Sequence, residues 1–406
     1  MARRYLIEID PPGQTSTPQG TANPPPPAAQ QQTPTAPPQK SQEAIKKFFP
    51  LSSMSKDPRT GKDGFADKPN ALQIEFDFSS NSDASNGGGS CMLTIRGVPP
   101  EVLKAANSIN GYSIRVKAGF SQGMPLEDKL APKYDYILFG QIFGAFGNLV
   151  GTDNYLCLPI SSYGFARSDN INIELTGNQG DTWQAVVANA LTVALFQNGQ
   201  NKFHVDLSPE LVVTESQHHS VHSSFEDLRD FLNRLAVNQI GTAKGKFYPG
   251  VSVFMDAGVL TVSDSMTPPQ DPNGQYKQIV LDSTDFIGNP QWNDNGEVLV
   301  TLPMRSDVRV LDRVIMNPAT NILVTGGAAA LNAEVLSAAN QGFYRCSATR
   351  HIGNSRSAQG GEWATVLTLA LDAPPQSTGT SELNGLQPFG QADPVPAKVT
   401  TYRFTA

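Results

Sequence analysis

The sequence predicts a mainly β protein with a small α+β module in its middle. Gly (35) and Pro (31) are plentiful among the 406 residues, and only 17% of the residues are charged. This composition is typical of short strands separated by turns rather than of long surface helices. Polar and apolar residues alternate along both halves of the chain, which indicates half-buried strands. Longer runs with apolar residues at helical spacing stand between those halves.

The chain begins with a predicted strand and a predicted linker. Within residues 1–10, Arg3–Ile9 alternates polar and apolar side chains as a strand does. Residues 11–48 are rich in proline, and up to Gln42 they are nearly free of large apolar side chains. Such a segment buries too little surface to offset its ordering entropy. We therefore expect a linker or insert that acts as a passive spacer rather than as a proline-rich ligand.

Residues 49–165 form the first predicted β domain. Alternation predicts strands in four stretches, Leu72–Phe78, Cys91–Val98, Gly111–Phe120 and Tyr134–Gly147. A short helix begins at the proline pair after the second stretch. Strands at this spacing, joined by Gly- and Pro-rich turns, indicate an antiparallel barrel or a sandwich.

Residues 166–277 form the predicted α+β middle domain. Ile171–Gly177 is expected to be a strand, and a helix with Trp183 in its first turn follows it. A second helix is predicted where Ser223 and Glu226 fit the capping-box pattern. Its apolar stripe consists of Phe225, Leu228, Leu232 and Leu235. A hairpin around Asp256–Gly258 closes the domain.

Residues 278–375 form the second predicted β domain, and residues 376–406 a loop-like tail with one short strand at Thr400–Thr405. The alternating segments of the domain are KQIVLDSTDFIGNPQW, GEVLVTLPM, DVRVLDRVIM, FYRCSATRHIG and WATVLTLAL. The last two predict a β-hairpin in which Trp363 anchors the returning strand. His351 is expected to begin the polar loop between the two strands.

Composition excludes several classes of protein. The formal charge of −7 argues against a protein that coats duplex nucleic acid. The three cysteines are far apart in sequence and odd in number, so we expect reduced thiols made in a cytosol. No apolar stretch approaches the roughly 20 residues that span a bilayer, and no signal-peptide pattern is present. We expect a protein that is soluble when made and does not insert into membranes.

Candidate chemistry in the sequence is sparse. His218, His219 and His222 could share zinc, but without a nearby carboxylate at standard spacing a polar surface loop is the preferred interpretation. The glycine-rich stretches 86–90 and 326–330 lack a Walker lysine and predict turns. No GxSxG elbow and no paired-carboxylate motif is present. We expect no enzyme activity, no cofactor and no metal.

Three segments together resemble the central baseplate hub proteins of tailed bacteriophages. The first combines SCMLTIRGVP, INGYSIRVKAGF and YILFGQIFGAF. The second is STDFIGNPQWNDNGEVLVTLPMRSDVRVLDRVIM, and the third is FYRCSATRHIGNSRSAQGGEWATVLTL. The resemblance covers roughly Leu72 to Leu371. The proline-rich insert and the tail beyond Asp372 depart from the family pattern.

The resemblance implies two similar, tail-tube-like antiparallel β-barrels that flank the helix-containing domain. It further implies a homotrimer whose six barrels form a pseudo-sixfold ring between a hexameric tail tube and a trimeric central spike. Other baseplate proteins would be partners, DNA would pass transiently, and the protein would assemble in the host cytoplasm and reside in the virion tail. The interface and structural residues carried over are Trp363, Asn354, Arg356, Gly288, Pro290 and Trp292.

Two alternatives remain at the level of sequence. A β-rich trimeric tail adhesin or receptor-binding protein would share the Gly-rich loops, and it would bind glycans. A hub that also degrades cell wall would need a further enzymatic domain, for which no segment has room or motif.

Overall fold

The structure is a computed structural model and consists mainly of β-strands. It describes residues 3–11, 39–56, 63–81, 91–120, 134–161, 172–197, 203–241, 250–256, 259–264, 278–292, 297–316, 343–357 and 360–371. Outside these ranges lie most of the proline-rich segment, both glycine-rich stretches, and the tail with its predicted strand. The domain boundaries drawn from the sequence stay predictions.

The first β region is antiparallel. Its strands are β1 Arg3–Asp10, β2 Leu51–Ser52, β3 Met54–Lys56, β4 Asp63–Asp67, β5 Gln73–Asn81, β6 Cys91–Arg96, β7 Ser113–Phe120, β8 Asp135–Ile142, β9 Phe146–Val150 and β10 Asp153–Ser161. They pair in the order β5-β6-β10-β8-β7-β1-β2, with β9 on β10 and with β3 and β4 as a separate pair. The four stretches predicted as strands are confirmed, and β9 and β10 form an extra hairpin.

The predicted first strand is confirmed and lies inside the sheet. β1 pairs with β7 from Arg3 opposite Phe120 to Asp10 opposite Ser113. Its inward side chains are buried, with Ile7 fully so. Burying a side chain of this kind contributes about 1.5–3 kcal/mol. The strand thus belongs to its own chain's first core.

Two short helices pack beside this region. Helix α1 spans Gln39–Phe48, and helix α2 spans Pro100–Lys104, followed by a 3-10 turn at Ala106–Ile109. The second was predicted from its prolines. The first lies within the segment predicted as a linker, and that part of the prediction is wrong because Ile45 and the following Phe49 are buried in the first core.

The middle region holds two helices and two small sheets. Its elements are β11 Ile173–Asn178, α3 Trp183–Gln197, β12 Phe203–Asp206, β13 Gln217–His222, α4 Phe225–Ala236, β14 Ser252–Asp256 and β15 Val259–Ser263. β11 pairs with β13, and the other sheet has the order β12-β15-β14. The predicted hairpin is confirmed by the antiparallel β14–β15 pair, although residues 257 and 258 lie outside the described ranges.

Both predicted helices are confirmed, with one correction at a cap. Ser224, not Ser223, is the N-cap of α4, because its Oγ accepts a hydrogen bond of 3.1 Å from the Asp227 N–H. The predicted apolar stripe faces inward, with Leu228 and Leu232 almost fully buried. A π-helical turn, Val237–Gly241, continues the helix.

The second β region has its own core. Its strands are β16 Gln278–Leu281, β17 Gln291–Trp292, β18 Val298–Pro303, β19 Arg313–Met316, β20 Phe343–Asn354 and β21 Trp363–Leu371, and 3-10 turns lie at Ser283–Asp285 and Gly360–Glu362. Buried residues of β16, β18, β19, β20 and β21 form a hydrophobic cluster separate from that of the first region. The predicted closing hairpin is confirmed by the β20–β21 ladder.

The strands are not all antiparallel, although antiparallel barrels were predicted. β16 and β19 pair in parallel, as do β12 and β15 in the middle region. β19 also begins later than the alternation of DVRVLDRVIM suggested. Leu311 just before it has a φ of 72°, a conformation that interrupts an extended strand.

Candidate functional site at the joint between the β regions

Among the described strands, a backbone ladder joins the two β regions. β5 of the first region pairs antiparallel with β20 of the second, in seven residue pairs from Glu75 opposite Asn354 to Asn81 opposite Ala348. The contact continues past β20, where the Ser355 N–H donates to the Ile74 carbonyl oxygen at 2.9 Å. The ladder makes one continuous sheet from β17 to β2. Strands predicted to lie in separate barrels therefore share their hydrogen bonds.

The side chain of Trp363 packs inside this joint and contacts both β regions. It begins β21 of the second region but belongs to the core of the first, where its side chain is fully buried. Its Nε1–H donates a 3.0 Å hydrogen bond to the Gly119 carbonyl oxygen on β7. Its ring meets Phe76 edge to face at 5.3 Å. Trp363 is thus more than the anchor of its own hairpin, because it connects that hairpin to the other region.

A glycine on β20 makes the close packing at the joint possible. A Cβ added to Gly353 would lie 2.2 Å from the Phe76 ring, far inside van der Waals contact. Gly353 pairs with Phe76 across the ladder. The absence of a side chain therefore lets the Phe76 ring lie over the strand and reach Trp363.

Two of the predicted interface residues, Asn354 and Arg356, contact the first region of their own chain. The Asn354 carbonyl oxygen accepts from the Arg3 guanidinium, and its Oδ1 accepts from Gln73 Nε2 at 3.2 Å. Arg356 Nη2 donates to the Ala71 carbonyl oxygen at 2.7 Å. The start of the hairpin loop is therefore held within the chain. Residues 358 and 359 lie outside the described ranges, and an intersubunit contact through Asn354 and Arg356 stays a prediction.

The other three predicted residues cluster near β17. Gly288 has a φ of 83° in an exposed turn, which suits glycine, and Pro290 is buried. Trp292 lies on β17, which is at one end of the sheet order. These positions are remote from the β5–β20 ladder along the sheet. The structure does not bring them together with Asn354 and Arg356.

His351 lies inside β20 rather than at the start of a loop, which corrects the sequence interpretation. Its side chain is buried, and its Nδ1 lies 3.0 Å from Thr365 Oγ1. The Thr365 hydroxyl donates to the Arg305 carbonyl oxygen at 3.1 Å, so its oxygen accepts from Nδ1–H of the imidazole. Burial lowers the pKa of His351 to about 4. The ring is a neutral member of the joint.

An exposed apolar surface lies on the first region, and the sequence did not single it out. Every residue of β9 is exposed, with Leu149 69% and Val150 58% accessible, and Phe146 is 48% accessible. Phe143, just before the strand, is 54% accessible. We call these four residues the β9 surface. Phe146 and Val150 lie on one face of the strand and Leu149 on the other, so β9 exposes large apolar side chains on both faces, which is unusual for surface that faces only water.

The histidine-rich stretch is a strand rather than the polar loop that the sequence predicted. β13 pairs with β11 along Gln217–His222, and His222 is buried. Its alternation places His218, Ser220 and His222 on one face, towards Trp183 and helix α4. Among the described residues, no group of three or more His, Cys, Asp or Glu side chains is placed to hold a metal ion.

Among the described residues, no helix is both long enough and apolar enough to cross a membrane.

Comparisons with known proteins give matches only at the level of structure. No family model and no curated protein sequence matches the chain. An Escherichia coli component of the type VI secretion system is similar over 74% of this chain and 73% of its own, with 13% identity and a TM-score of 0.39. A Neisseria meningitidis tail protein is similar over 76% and 94%, with 13% identity and a TM-score of 0.42.

A third similar structure is the 43 kDa tail protein of prophage MuSo2 from Shewanella oneidensis. The similarity covers 76% of this chain and 96% of that one, with 7% identity and a TM-score of 0.42. At TM-scores below 0.5 these likenesses do not assign the chain to a family. Two of these three structures are described as tail proteins and the third as a component of a type VI secretion system.

Proposed function

We propose that this chain is a structural hub of a phage-type tail baseplate. In this function it forms a homotrimeric, pseudo-sixfold ring that adapts a hexameric tail tube to a trimeric spike. The observation that carries the proposal is the joint itself. One chain holds two β regions with separate cores, fixed together by a seven-pair ladder and by Trp363. This agrees with the three-segment resemblance of the sequence to hub proteins.

A ring of this kind requires two β regions held at a fixed relative orientation, and the joint provides that orientation. A ladder of backbone hydrogen bonds and a buried tryptophan hold the two regions at one relative orientation. Three such chains would place six similar β units in a ring, in which the same contact recurs between subunits by rotation. If each β region completes a barrel in that ring, the six units match a sixfold tube on one face.

The β9 surface supplies the subunit contact in this proposal. Obligate interfaces are more apolar than ordinary surface, and the exposed strand β9 combines apolar side chains with a backbone edge that no other described strand pairs with besides β10. An edge strand of this kind takes up another strand readily. We assign its occupant to the neighbouring subunit of the ring.

The mass of the purified protein by light scattering, with negative-stain images of the same peak, tests the proposal. We expect three times the 43.6 kDa chain mass and a ring with a sixfold outline. Leu149→Asp should release monomers, because it places a charge in the interface. The matched control is Val193→Asp on α3, at a residue 60% accessible, which should leave the trimer intact.

Two results would count against the proposal. One is a monomer that also fails to form rings when mixed with tube and spike proteins. The other overturns only the assignment of the β9 surface to the interface: it is a trimer that Leu149→Asp leaves unchanged. Specific glycan binding by the monomer on an array would favour the adhesin alternative.

A structural function also implies that the protein has no catalytic activity. One group of side chains in the middle region makes this implication testable. Ser220 Oγ lies 3.0 Å from His222 Nε2, and His222 Nδ1 lies 3.2 Å from Asp227 Oδ2. This is the order of groups in a serine hydrolase. We expect no labelling of Ser220 by a fluorophosphonate probe, because a second imidazole, that of His218, also occupies the hydroxyl at 3.0 Å. Labelling at Ser220 would contradict the non-enzymatic proposal.

A further inference from the structure

The two β regions contain the same arrangement of six strands. In chain order these strands are β1, β5, β6, β7, β8 and β10 in the first region and β16 to β21 in the second. The first set pairs in the order β5-β6-β10-β8-β7-β1, and the second in the order β17-β18-β21-β20-β19-β16. Counted along the chain, each strand therefore has the same neighbours in both sets. The arrangement is an internal repeat, which departs only at its outermost pair, antiparallel for β1–β7 and parallel for β16–β19.

The register of the pairing repeats as well. β6 and β10 form six residue pairs, with Arg96 opposite Tyr155 at one end. β18 and β21 also form six residue pairs, with Pro303 opposite Ala364 at the same end. Aligning these two ladders gives the residues of the neighbouring strands an equivalent in the other region.

β8 and β9 together are the equivalent of the single long strand β20. β8 pairs with β7 and meets β10 at Ile142, and β9 continues along β10 from Phe146. β20 pairs first with β19 and then continues along β21. Both paths contain one extra residue relative to the strand beside them, between Ile142 and Phe146 in the first region and between Cys346 and Ala348 in the second. β9 is therefore the equivalent of the second half of β20.

The second half of β20 forms the joint, whereas its equivalent has an open edge. From Ala348 to Gly353, β20 has β21 on one side and β5 on the other. β9 has β10 on one side and no described strand on the other. The equivalent of β5 is β17, which pairs only with β18 among the described strands. Each chain thus carries the two strand edges of a second joint, both open.

The pairing of β17 defines its equivalence to β5 residue by residue. Asp77 on β5 lies opposite Met92 on β6. Gln291 on β17 lies opposite Leu299 on β18, and the aligned ladders make Leu299 the equivalent of Met92. Gln291 is therefore the equivalent of Asp77.

The pairing of β9 defines its equivalence to β20 in the same way. Ile352 on β20 lies opposite Ala364 on β21. Asn148 on β9 lies opposite Tyr155 on β10, and the aligned ladders make Tyr155 the equivalent of Ala364. Asn148 is therefore the equivalent of Ile352.

We propose that β17 of one subunit pairs antiparallel with β9 of the next subunit, and so repeats the β5–β20 joint between chains. In the joint Asp77 lies opposite Ile352, so between subunits Gln291 lies opposite Asn148. The next pair is Trp292 opposite Gly147. A contact of this kind joins two different edges and recurs by rotation, which closes a ring. This inference rests on the ring proposed above and identifies the strand that meets the β9 surface.

The residues at the two open edges are compatible in charge. In the joint, Arg350 Nε donates to Asp77 Oδ1 at 2.8 Å. The equivalent positions are occupied by Phe146 and Gln291, so an uncharged pair replaces a charged pair on both strands together. Neither β9 nor β17 contains a charged residue. β17 therefore brings no charge to the β9 surface, where Phe146 is 48% accessible and gains from being covered.

A disulfide between subunits tests the pairing and its register. Opposite residues of antiparallel strands have Cα atoms about 4.5–5.5 Å apart, a separation that a disulfide spans. Asn148 and Gln291 are both exposed, so Asn148→Cys with Gln291→Cys should leave each chain folded. The background is Cys157→Ser, because Cys157 lies beside β9. After oxidation of the trimer, a non-reducing gel should show linked pairs and linked trimers of the chain, which a reductant removes.

Two control pairs make the result specific. Leu149→Cys with Gln291→Cys should not link, because these side chains lie on opposite faces of the paired strands. Asn148→Cys with Val280→Cys tests β16, the other end strand of the second region, where Val280 is 64% accessible; this pair should also remain unlinked.

The outcomes separate this inference from the proposed function. A trimer that stays unlinked through Asn148 and Gln291, or that links through Asn148 and Val280 instead, overturns the β9–β17 pairing and leaves the hub function standing. A chain that forms no trimer, alone or with tube and spike proteins, overturns both.

Discussion

Replacing Trp363 by alanine should loosen the first β region, although the residue lies on a strand of the second. Trp363 is fully buried among first-region residues, and its Nε1–H satisfies the Gly119 carbonyl oxygen. Large-to-small changes at buried tryptophans cost about 3–5 kcal/mol. Leaving a buried carbonyl without its donor accounts for about 1–3 kcal/mol of such losses. We expect a total loss in unfolding free energy of about 3–5 kcal/mol.

Leu367→Ala is the matched control, because it changes the same strand on the other side of the joint. Leu367 is fully buried in the second core, and its replacement should cost about 2–5 kcal/mol. Hydrogen exchange by mass spectrometry locates each effect. Trp363→Ala should raise exchange in β7, and Leu367→Ala should raise it in β18.

If Trp363→Ala cost less than about 1 kcal/mol, or raised exchange only in β18, then the tryptophan would not connect the two regions. The intermediate variant Trp363→Phe separates the two contributions. It keeps an aromatic ring beside Phe76 but removes the donor to Gly119, so it should fall between wild type and Trp363→Ala.

Three further predictions concern packing and protonation. Gly353→Ala should lower the free energy of unfolding, measured with denaturant, by about 1–3 kcal/mol, because the added Cβ would lie 2.2 Å from the Phe76 ring. Gly361→Ala is the control: its Cβ would have no heavy atom within 4 Å, so the change should be near neutral. Burial lowers the pKa of His351 to about 4, so the folded state binds fewer protons than the unfolded state. The free energy of unfolding should therefore fall by roughly 3 kcal/mol as pH drops from about 6.5 to 4. His351→Gln should flatten this pH dependence, and an unchanged dependence would contradict the prediction. Burial, and then a neighbouring carboxylate, raises the pKa of Asp206 to about 6, so its stabilising contribution is lost as pH rises through 6, and Asp206→Asn should raise the melting temperature at pH 7 but not at pH 3.5.

Local periodicity was enough to predict the helices and many of the strands. The stripe through Leu228 and Leu232 identified α4 because burial repeats at the helical period. Its cap was missed by one residue, since Ser223 and Ser224 offer the same hydroxyl and only the backbone geometry selects between them. Alternation likewise identified β1 and the closing hairpin.

The joint could not be predicted from local pattern. It brings together residues such as Asp77 and Arg350, whose side chains are hydrogen-bonded although they are 273 positions apart, and nothing in either segment specifies the other. Trp363 reads as an apolar residue in an alternating strand, and alternation does not say which of two cores receives it. The same limit explains His351, whose burial depends on a strand from elsewhere in the chain.

The histidine strand was misread for a related reason. A run of His and Ser is hydrophilic by composition, so a polar loop is the local expectation. Its inner face is buried only because Trp183 and Phe231 from two different helices cover it. Helix α1 was missed because it follows a long proline-rich segment, although Ile45 supplies an apolar contact.

The pairing of β1 with β7 sets an order of events during synthesis. β1 is made well before β7, and its partner residues, such as Arg3 and Phe120, are separated by more than a hundred positions. Its backbone edge stays unpaired while the ribosome adds that chain, at about 5–20 residues per second. The β5–β20 ladder closes later still, after β20 has emerged. Long-range closures of this kind slow folding, and until β20 arrives the edge of β5 that it covers stays open to strand exchange with a neighbouring copy.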